Sequence, residues 1–241
     1  MSEPIIRVSE SLYQLPLAGV NAWLFAREDR VLIDTGSSGS EGRVRAGLQR
    51  IGLRLQDLDA IILTHSHYDH SGSAASISRE AGVAVWASAE SAQLLREGRS
   101  LRDWVPAPGL ISRALVRSAI ANPDPGVEPI VPARILRDGE ELDVLGGLRV
   151  IAAPGHEAGQ VALHWPQEGG ILIGGDAMMP VPRLREPLIW EDRNAGIQSI
   201  GLLAALDYQV AGFGHGRPIV HSADQRVRRF ARRIGAEIPT G

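Results

Sequence analysis

The sequence predicts an α+β fold in which two sheets pack face to face with helices outside. Three observations lead there. Strand and helix signals alternate through the first third, strand signals dominate from residue 134 to residue 174, and helical spacing returns near the end. Residues 5–16 and 20–26 read as strands, and Val31-Leu32-Ile33 is a short buried strand ending at Asp34-Thr35-Gly36. Val44, Leu48 and Ile51 have helical spacing across 41–51, and Gly52 supplies a C-cap. Ala60-Ile61-Ile62-Leu63 is a second buried strand, running straight into Thr64-His65-Ser66-His67-Tyr68-Asp69-His70. A helix over 71–81, a strand over 83–87 and a helix over 88–97 complete this half.

Residues 98–132 break the rhythm with Pro106, Pro108, Pro123, Pro125, Pro129 and Pro132, and with apolar Trp104, Leu110 and Ile111. Two domains joined here would each hold only part of a histidine-rich site. The stretch is therefore read as a lid-like insertion within a single domain spanning 1–241. Beyond it, strands are expected at 134–137, 140–144, 148–153, 160–165 and 170–174. A helix at 194–206, a short strand from Gln209 to Phe213 and a helix at 222–235 follow. Val31-Leu32-Ile33-Asp34 is faintly echoed by Ile171-Leu172-Ile173-Gly174-Gly175-Asp176, too weakly to define a repeat.

Composition narrows the function. The chain has 241 residues, 44% of them hydrophobic, and a formal net charge of -3, so it reads as an ordinary globular protein rather than a polyanion binder. Arg226, Arg228, Arg229, Arg232 and Arg233 have helical spacing and read as a solvated helix face. There is no cysteine, which excludes disulfides, thiolate ligands and Cys nucleophiles. No apolar run approaches the ~18 residues of a membrane span. The start, Met1-Ser2-Glu3-Pro4, lacks a secretory pattern, so a cytoplasmic location is expected.

Three of the seven histidines fall within six residues, His65, His67 and His70, with Asp69 among them. His65 and His67 are two apart, so in extended backbone their side chains point the same way and can grip one ion. Asp69 and His70 lie after the turn and can face a second ion. Three further positions follow strands and are flanked by small residues: Pro154-Gly155-His156, Gly174-Gly175-Asp176 and Gly214-His215-Gly216. Glycine there lets backbone approach an ion closely. Imidazole with carboxylate suits zinc, iron, manganese, cobalt or nickel, so the ligand types alone do not name the metal; zinc is the expectation, with iron or manganese as alternatives.

H-x-H-x-D-H, then His156, Asp176 and His215, in that order, resembles the metallo-β-lactamase superfamily from about residue 20 to residue 217. The resemblance implies a four-layer αβ/βα sandwich with two divalent metal ions at one edge between the sheets. It implies one ion on His65, His67 and His156, the other on Asp69, His70 and His215, and Asp176 bridging both. Asp34 would orient the ligand loop through hydrogen bonds. Two dications a few Å apart would depress the pKa of a shared water, so that a metal-bridging hydroxide attacks the substrate and Asp69 serves as the catalytic proton acceptor.

Within the superfamily, true β-lactamases lack an Asp at the place of Asp176, and one class uses a Cys there. The glyoxalase-type thioesterases carry a longer C-terminal helical domain, whereas about 26 residues follow His215. The RNA-processing members carry extra nucleic-acid-binding domains that suit an acidic chain poorly. The expectation is a hydrolase of a small-molecule ester, lactone or thioester, without nucleic-acid or membrane partners and with room for a homodimer. The alternatives are a mononuclear iron dioxygenase of the persulfide type, and a phosphodiesterase or phosphatase. Tyr68, Trp104, Met178 and Arg183 are the candidate substrate-pocket residues. Glu157 stands where relatives often have Thr and adds negative charge beside His156.

Overall fold

The computed structural model describes residues 4–109, 125–181 and 183–239. In chain order the first sheet is built from β1 (Ile6–Arg7), β2 (Leu12–Pro16), β3 (Asn21–Ala26), β4 (Arg30–Ile33), β5 (Ala60–Ile62), β6 (Val85–Ser88) and β8 (Arg134–Leu136). Its first four strands pair antiparallel, and β4, β5, β6 and β8 pair parallel. The parallel part requires helical crossovers, supplied by α1 (Glu41–Gln49), α3 (Ala74–Ala81) and α4 (Ala89–Arg96). The second sheet runs in the order β16 (Val210–Gly212), β12 (Ile171–Ile173), β11 (Val161–Trp165), β10 (Leu148–Ala152), β9 (Glu141–Leu142). It is backed by α5 (Arg193–Ala204) and α6 (Ala223–Arg233).

Period-2 alternation sends each strand's side chains into two different cores. Trp23, Phe25, Val31 and Ile33 face Leu163, Trp165, Ile171 and Ile173 between the sheets. Their strand neighbours Leu24 and Leu32 face Val44, Leu48 and Ile77 of the first helical layer. Leu172 and Ala162 instead meet Ile200, Leu203, Val227 and Phe230 of the last two helices. Four layers result, helix, sheet, sheet, helix, as the sequence and the resemblance led one to expect. The central core draws on both halves of the chain, so neither sheet has a closed interior without the other.

The expected helix over 71–81 is divided. A short α2 (Tyr68–Ser71) ends at Gly72, and α3 begins only at Ala74. A Cβ on Gly72 would run into the backbone of Ser37 and Ser38, so the ligand loop lies directly on the loop after β4. Four two-residue strands were not legible from alternation: β13 (Met179–Pro180) with β14 (Leu184–Arg185), and β7 (Val105–Pro106) with β15 (Ile189–Trp190). Of the insertion expected at 98–132, residues 98–109 and 125–132 are described, while Leu110, Ile111 and Pro123 lie outside the described residues. Among the described residues no helix is long and apolar enough to cross a membrane.

Candidate metal centre

The C-terminal ends of β5, β10, β12 and β16 all open on one edge. After β5 come Thr64 to His70, after β10 comes His156, after β12 Asp176, and after β16 His215. β12 and β16 are parallel with Ile173 opposite Gly212, which brings Asp176 and His215 side by side. The two sheets are stitched at this edge. Val161 N–H donates to Thr64 O at 2.8 Å, and Asn21 N–H donates to Gly214 O at 2.7 Å. Gly214 has no room for a side chain, because a Cβ would strike the Asp176 carboxylate and the His70 ring.

The expected ligand residues converge in sets of three whose donor atoms lie within 4.8 Å of one another: His65, His67 and His156; His65, His70 and Asp176; Asp69, His70 and His215. Asp176 stands among them. Its Oδ2 is 3.2 Å from His215 Nε2 and 3.6 Å from His156 Nε2, and its Oδ1 is 3.7 Å from His70 Nε2. Asp69 Oδ2 lies 3.5 Å from His215 Nε2 and 3.8 Å from His70 Nε2. His65 Nε2, His70 Nε2 and Asp176 Oδ1 are buried with no hydrogen-bond partner among the described residues. Buried polar atoms are normally paired, and three orphans aimed at one point, all lone-pair donors, fit a metal ion.

The opposite nitrogen of four histidines is held from outside, which fixes both ring orientation and tautomer. His65 Nδ1 lies 2.9 Å from Thr64 Oγ1, and that hydroxyl donates to Asp34 Oδ2 at 2.8 Å. Asp34 Oδ2 is also 3.0 Å from His70 Nδ1, and Asp34 Oδ1 accepts from Thr64 N–H at 2.8 Å. His156 Nδ1 is 3.1 Å from Ile189 O, and His215 Nδ1 is 2.7 Å from Gly19 O. Asp34 adopts φ 60°, a left-handed conformation that costs a non-glycine residue energy and places its carboxylate beneath the ligand loop.

Charge divides the cluster in two. Burial pushes His65 well below its ordinary value, and nearby His70 and His67 add to that. Burial, then His67, brings His156 down to about 4. Burial works the same way on His70 and His215 but is overcome. Asp69, Asp176 and Asp34 raise His70 to about 9, and Asp176 and Asp69 raise His215 to about 10. Asp176 sits well below the carboxylate range, its burial outweighed by His215 and His70. The carboxylate side thus attracts positive charge, whether protons or a metal, and metal binding there must release protons.

Glu157 is a feature whose role the sequence left open. It is fully buried, and its Oε2 accepts from Ser66 Oγ at 2.8 Å and from Ser66 N–H, between the candidate ligands His65 and His67. Its Oε1 accepts from Ser91 Oγ at 2.8 Å and lies 3.5 Å from Arg102 Nη1. The expected pocket residues differ in exposure. Tyr68 is exposed beside Asp69, Trp104 is half-buried, and Arg183 is exposed. Met178 corrects the expectation: it is fully buried in the core under α5 with Trp190 and Ile200, and cannot wall a pocket. Thr64, Ser66 and Arg102 were not singled out from the sequence, where nothing local distinguishes them.

The family model described as the metallo-beta-lactamase superfamily matches residues 15–218. The chain belongs to the metallo-beta-lactamase superfamily. With it the chain takes its place among metal-dependent hydrolases. It is 25% identical to the probable metallo-hydrolase YqjP of Bacillus subtilis, over 88% of this chain and 71% of that one. It is 29% identical to the probable metallo-hydrolase YflN of the same organism, over 78% and 76%. Similarity to the hydroxyacylglutathione hydrolase GloC of Haemophilus influenzae is 27% over 84% of this chain and 87% of that one. Among solved structures, a metallo-beta-lactamase family protein from Thermus thermophilus superposes with a TM-score of 0.71 at 28% identity, covering 95% and 81% of the two chains. The MIM-2 metallo-beta-lactamase reaches 0.76 over 98% and 88%, and at 22% identity it speaks to fold alone.

Proposed function

We propose that this superfamily member is a dinuclear hydrolase of an ester, lactone or thioester of a small molecule, with two zinc ions as cofactors. The observation that carries the reading is Asp176, one carboxylate lying 3.6 Å and 3.2 Å from histidines of two different sets. His65, His67 and His156 would hold one ion, Asp69, His70 and His215 the other, and Asp176 both. Bound ions would supply Lewis-acid activation of water and of the scissile carbonyl.

The chain's own residues set the conditions for that chemistry. Histidines fixed at their outer nitrogens present their inner ones without reorganisation. Asp69, whose side chain is 25% exposed, is the carboxylate positioned to accept a proton at the mouth of the site and return it to the leaving group. Burial of His65, His70 and Asp176 keeps bulk water out of the interior and strengthens each electrostatic contact. The name of the Haemophilus relative supports a thioester among the acyl substrates, and the acidic chain suits a small molecule in the cytoplasm better than a nucleic acid.

The test is elemental analysis of purified protein together with a panel of lactones, thioesters and phosphodiesters. Two metals per chain and turnover of an acyl substrate are expected. Asp176→Ala should lose metal and drop kcat by at least about 100-fold. One iron per chain with oxygen consumption, or turnover confined to phosphodiesters, would overturn the reading.

A further inference from the structure

An open cavity of about 660 Å³ lies beside the candidate metal centre. Both of its walls are continuous with candidate ligands. The hairpin β13–β14 begins three residues after Asp176, and the segment 216–219 begins immediately after His215. The walls touch, since Gly216 has Val181 and Pro180 packed against it. Asp69 and His215 are also the most exposed of the seven candidate ligands, with side chains 25% and 20% accessible. The centre therefore opens on the side where the cavity begins.

Val181, Leu184 and Ile219 give the cavity an apolar floor, and Arg183, Arg217 and Arg226 give it a cationic rim. Arg193 is occupied by Glu186, Arg228 by Asp207 and Asp224, and Arg233 by Leu184 O, while Arg229 and Arg232 make no side-chain bond with a described residue but do not line the cavity. The guanidinium groups of the three at the rim make no hydrogen bond or ion pair with any described residue. Three guanidinium groups around one cavity with no acid between them repel one another, and an anion relieves that repulsion. The chain carries a net charge of -3, so the concentration of positive charge here is not a by-product of a basic composition. Guanidinium pairs with phosphate and carboxylate through parallel hydrogen bonds, while the floor suits an apolar stem. The volume falls within the range of small-ligand sites.

We infer that this cavity binds the anionic part, phosphate or carboxylate, of an amphipathic acyl substrate whose scissile bond reaches the metal centre. The inference rests on the acyl-hydrolase reading above and adds the charge of the substrate to it.

The experiment compares three thioesters with one acyl group on the metal-loaded protein: coenzyme A (phosphates), glutathione (carboxylates) and N-acetylcysteamine (neutral). KM should be at least about tenfold lower for a charged thioester than for the neutral one. That advantage should shrink as ionic strength rises. In an Arg217→Ala/Arg226→Ala variant the ratio of neutral to charged KM should fall towards one. Preference for coenzyme A alone assigns phosphate, and for glutathione alone carboxylate. Equal KM for all three, or a ratio unmoved by the double substitution, overturns the inference. If no thioester is turned over, the thioester branch of the hydrolase reading fails, and the ester and lactone panel decides the rest of that reading. Calorimetric titration with adenosine 3′,5′-bisphosphate and with S-methylglutathione then decides the cavity. Binding of either that is lost in the variant upholds it, and no binding or unchanged binding overturns it.

Discussion

Two buried carboxylates, Asp34 and Glu157, grip the ligand loop from opposite sides, the first through Thr64 and His70, the second through Ser66. Glu157 reaches Ser66 across 91 positions of sequence, so no local pattern could have revealed the contact. Glu157→Ala should strand the buried Ser66 N–H and remove an acceptor from the Ser91 hydroxyl and a charge partner from Arg102, costing about 2 kcal/mol of stability. Metal affinity should fall about 10- to 100-fold, as for other groups that orient ligands. Glu157→Gln keeps an acceptor for Ser66 and should recover part of both. Competition with a chromogenic chelator, alongside thermal unfolding of the chelated protein, measures the two effects separately. A second expectation concerns pH. In metal-free protein His156 is depressed to about 4, so its contribution is present above 6.5 and is lost as pH falls towards 4. His70 and His215 are raised to about 9 and 10, so theirs is present below 6.5 and is lost as pH rises through those values. Thermal midpoints of the metal-free protein should therefore peak near 6.5, declining towards acid down to about 4 and towards base up to about 9 to 10. A flat profile across that range would contradict the charge division of the site.

Helix α5 fastens the His156 loop to the second sheet. Gly155, at φ 139°, lies against the backbone of Gly196, and a Cβ at either position would clash. Ser199 Oγ donates to Pro154 O at 2.7 Å, binding the helix to the same loop. The helix begins at Asp192, whose carboxylate accepts from Asn194 N–H at 2.8 Å and Ala195 N–H at 3.1 Å. Asp192→Ala should cost about 1 kcal/mol, the usual loss of an N-cap, and lower the unfolding midpoint accordingly. Calorimetric melting checks it, and an unchanged midpoint would mean that water replaces the cap fully. The helices and longer strands were legible because hydrophobic spacing repeats several times within each of them. β7 and β15 were not, since two residues carry no period and their pairing is decided by chain more than 80 positions away. Met178 misled for a related reason: an apolar residue in a loop between two elements gives no local sign of which way it faces.

At the scale of the molecule the layers were legible from one fact repeated, that alternate residues of β3, β4, β11 and β12 serve different cores. The candidate ligands that converge at one edge were legible because strand ends and small residues mark each position. Their division into a proton-poor side and a proton-rich side was not, because it depends on which carboxylate faces which imidazole across four loops. The T-shaped contact of Phe25 with Trp165, 5.2 Å between ring centres, joins the sheets beneath the site.

Since His65, His67, Asp69 and His70 hang from one sheet and His156, Asp176 and His215 from the other, metal bound to the proposed centre would be a rivet through two plates. If such a rivet holds, chelators should extract an ion quickly only while the plates gape. The rate at which chelator strips the protein should therefore climb with sub-denaturing urea in step with amide exchange in β11 and β12. Extraction indifferent to urea would mean that ions leave through the mouth at Asp69 instead. On that expectation, retention of metal would be a clock for the breathing of the whole sandwich.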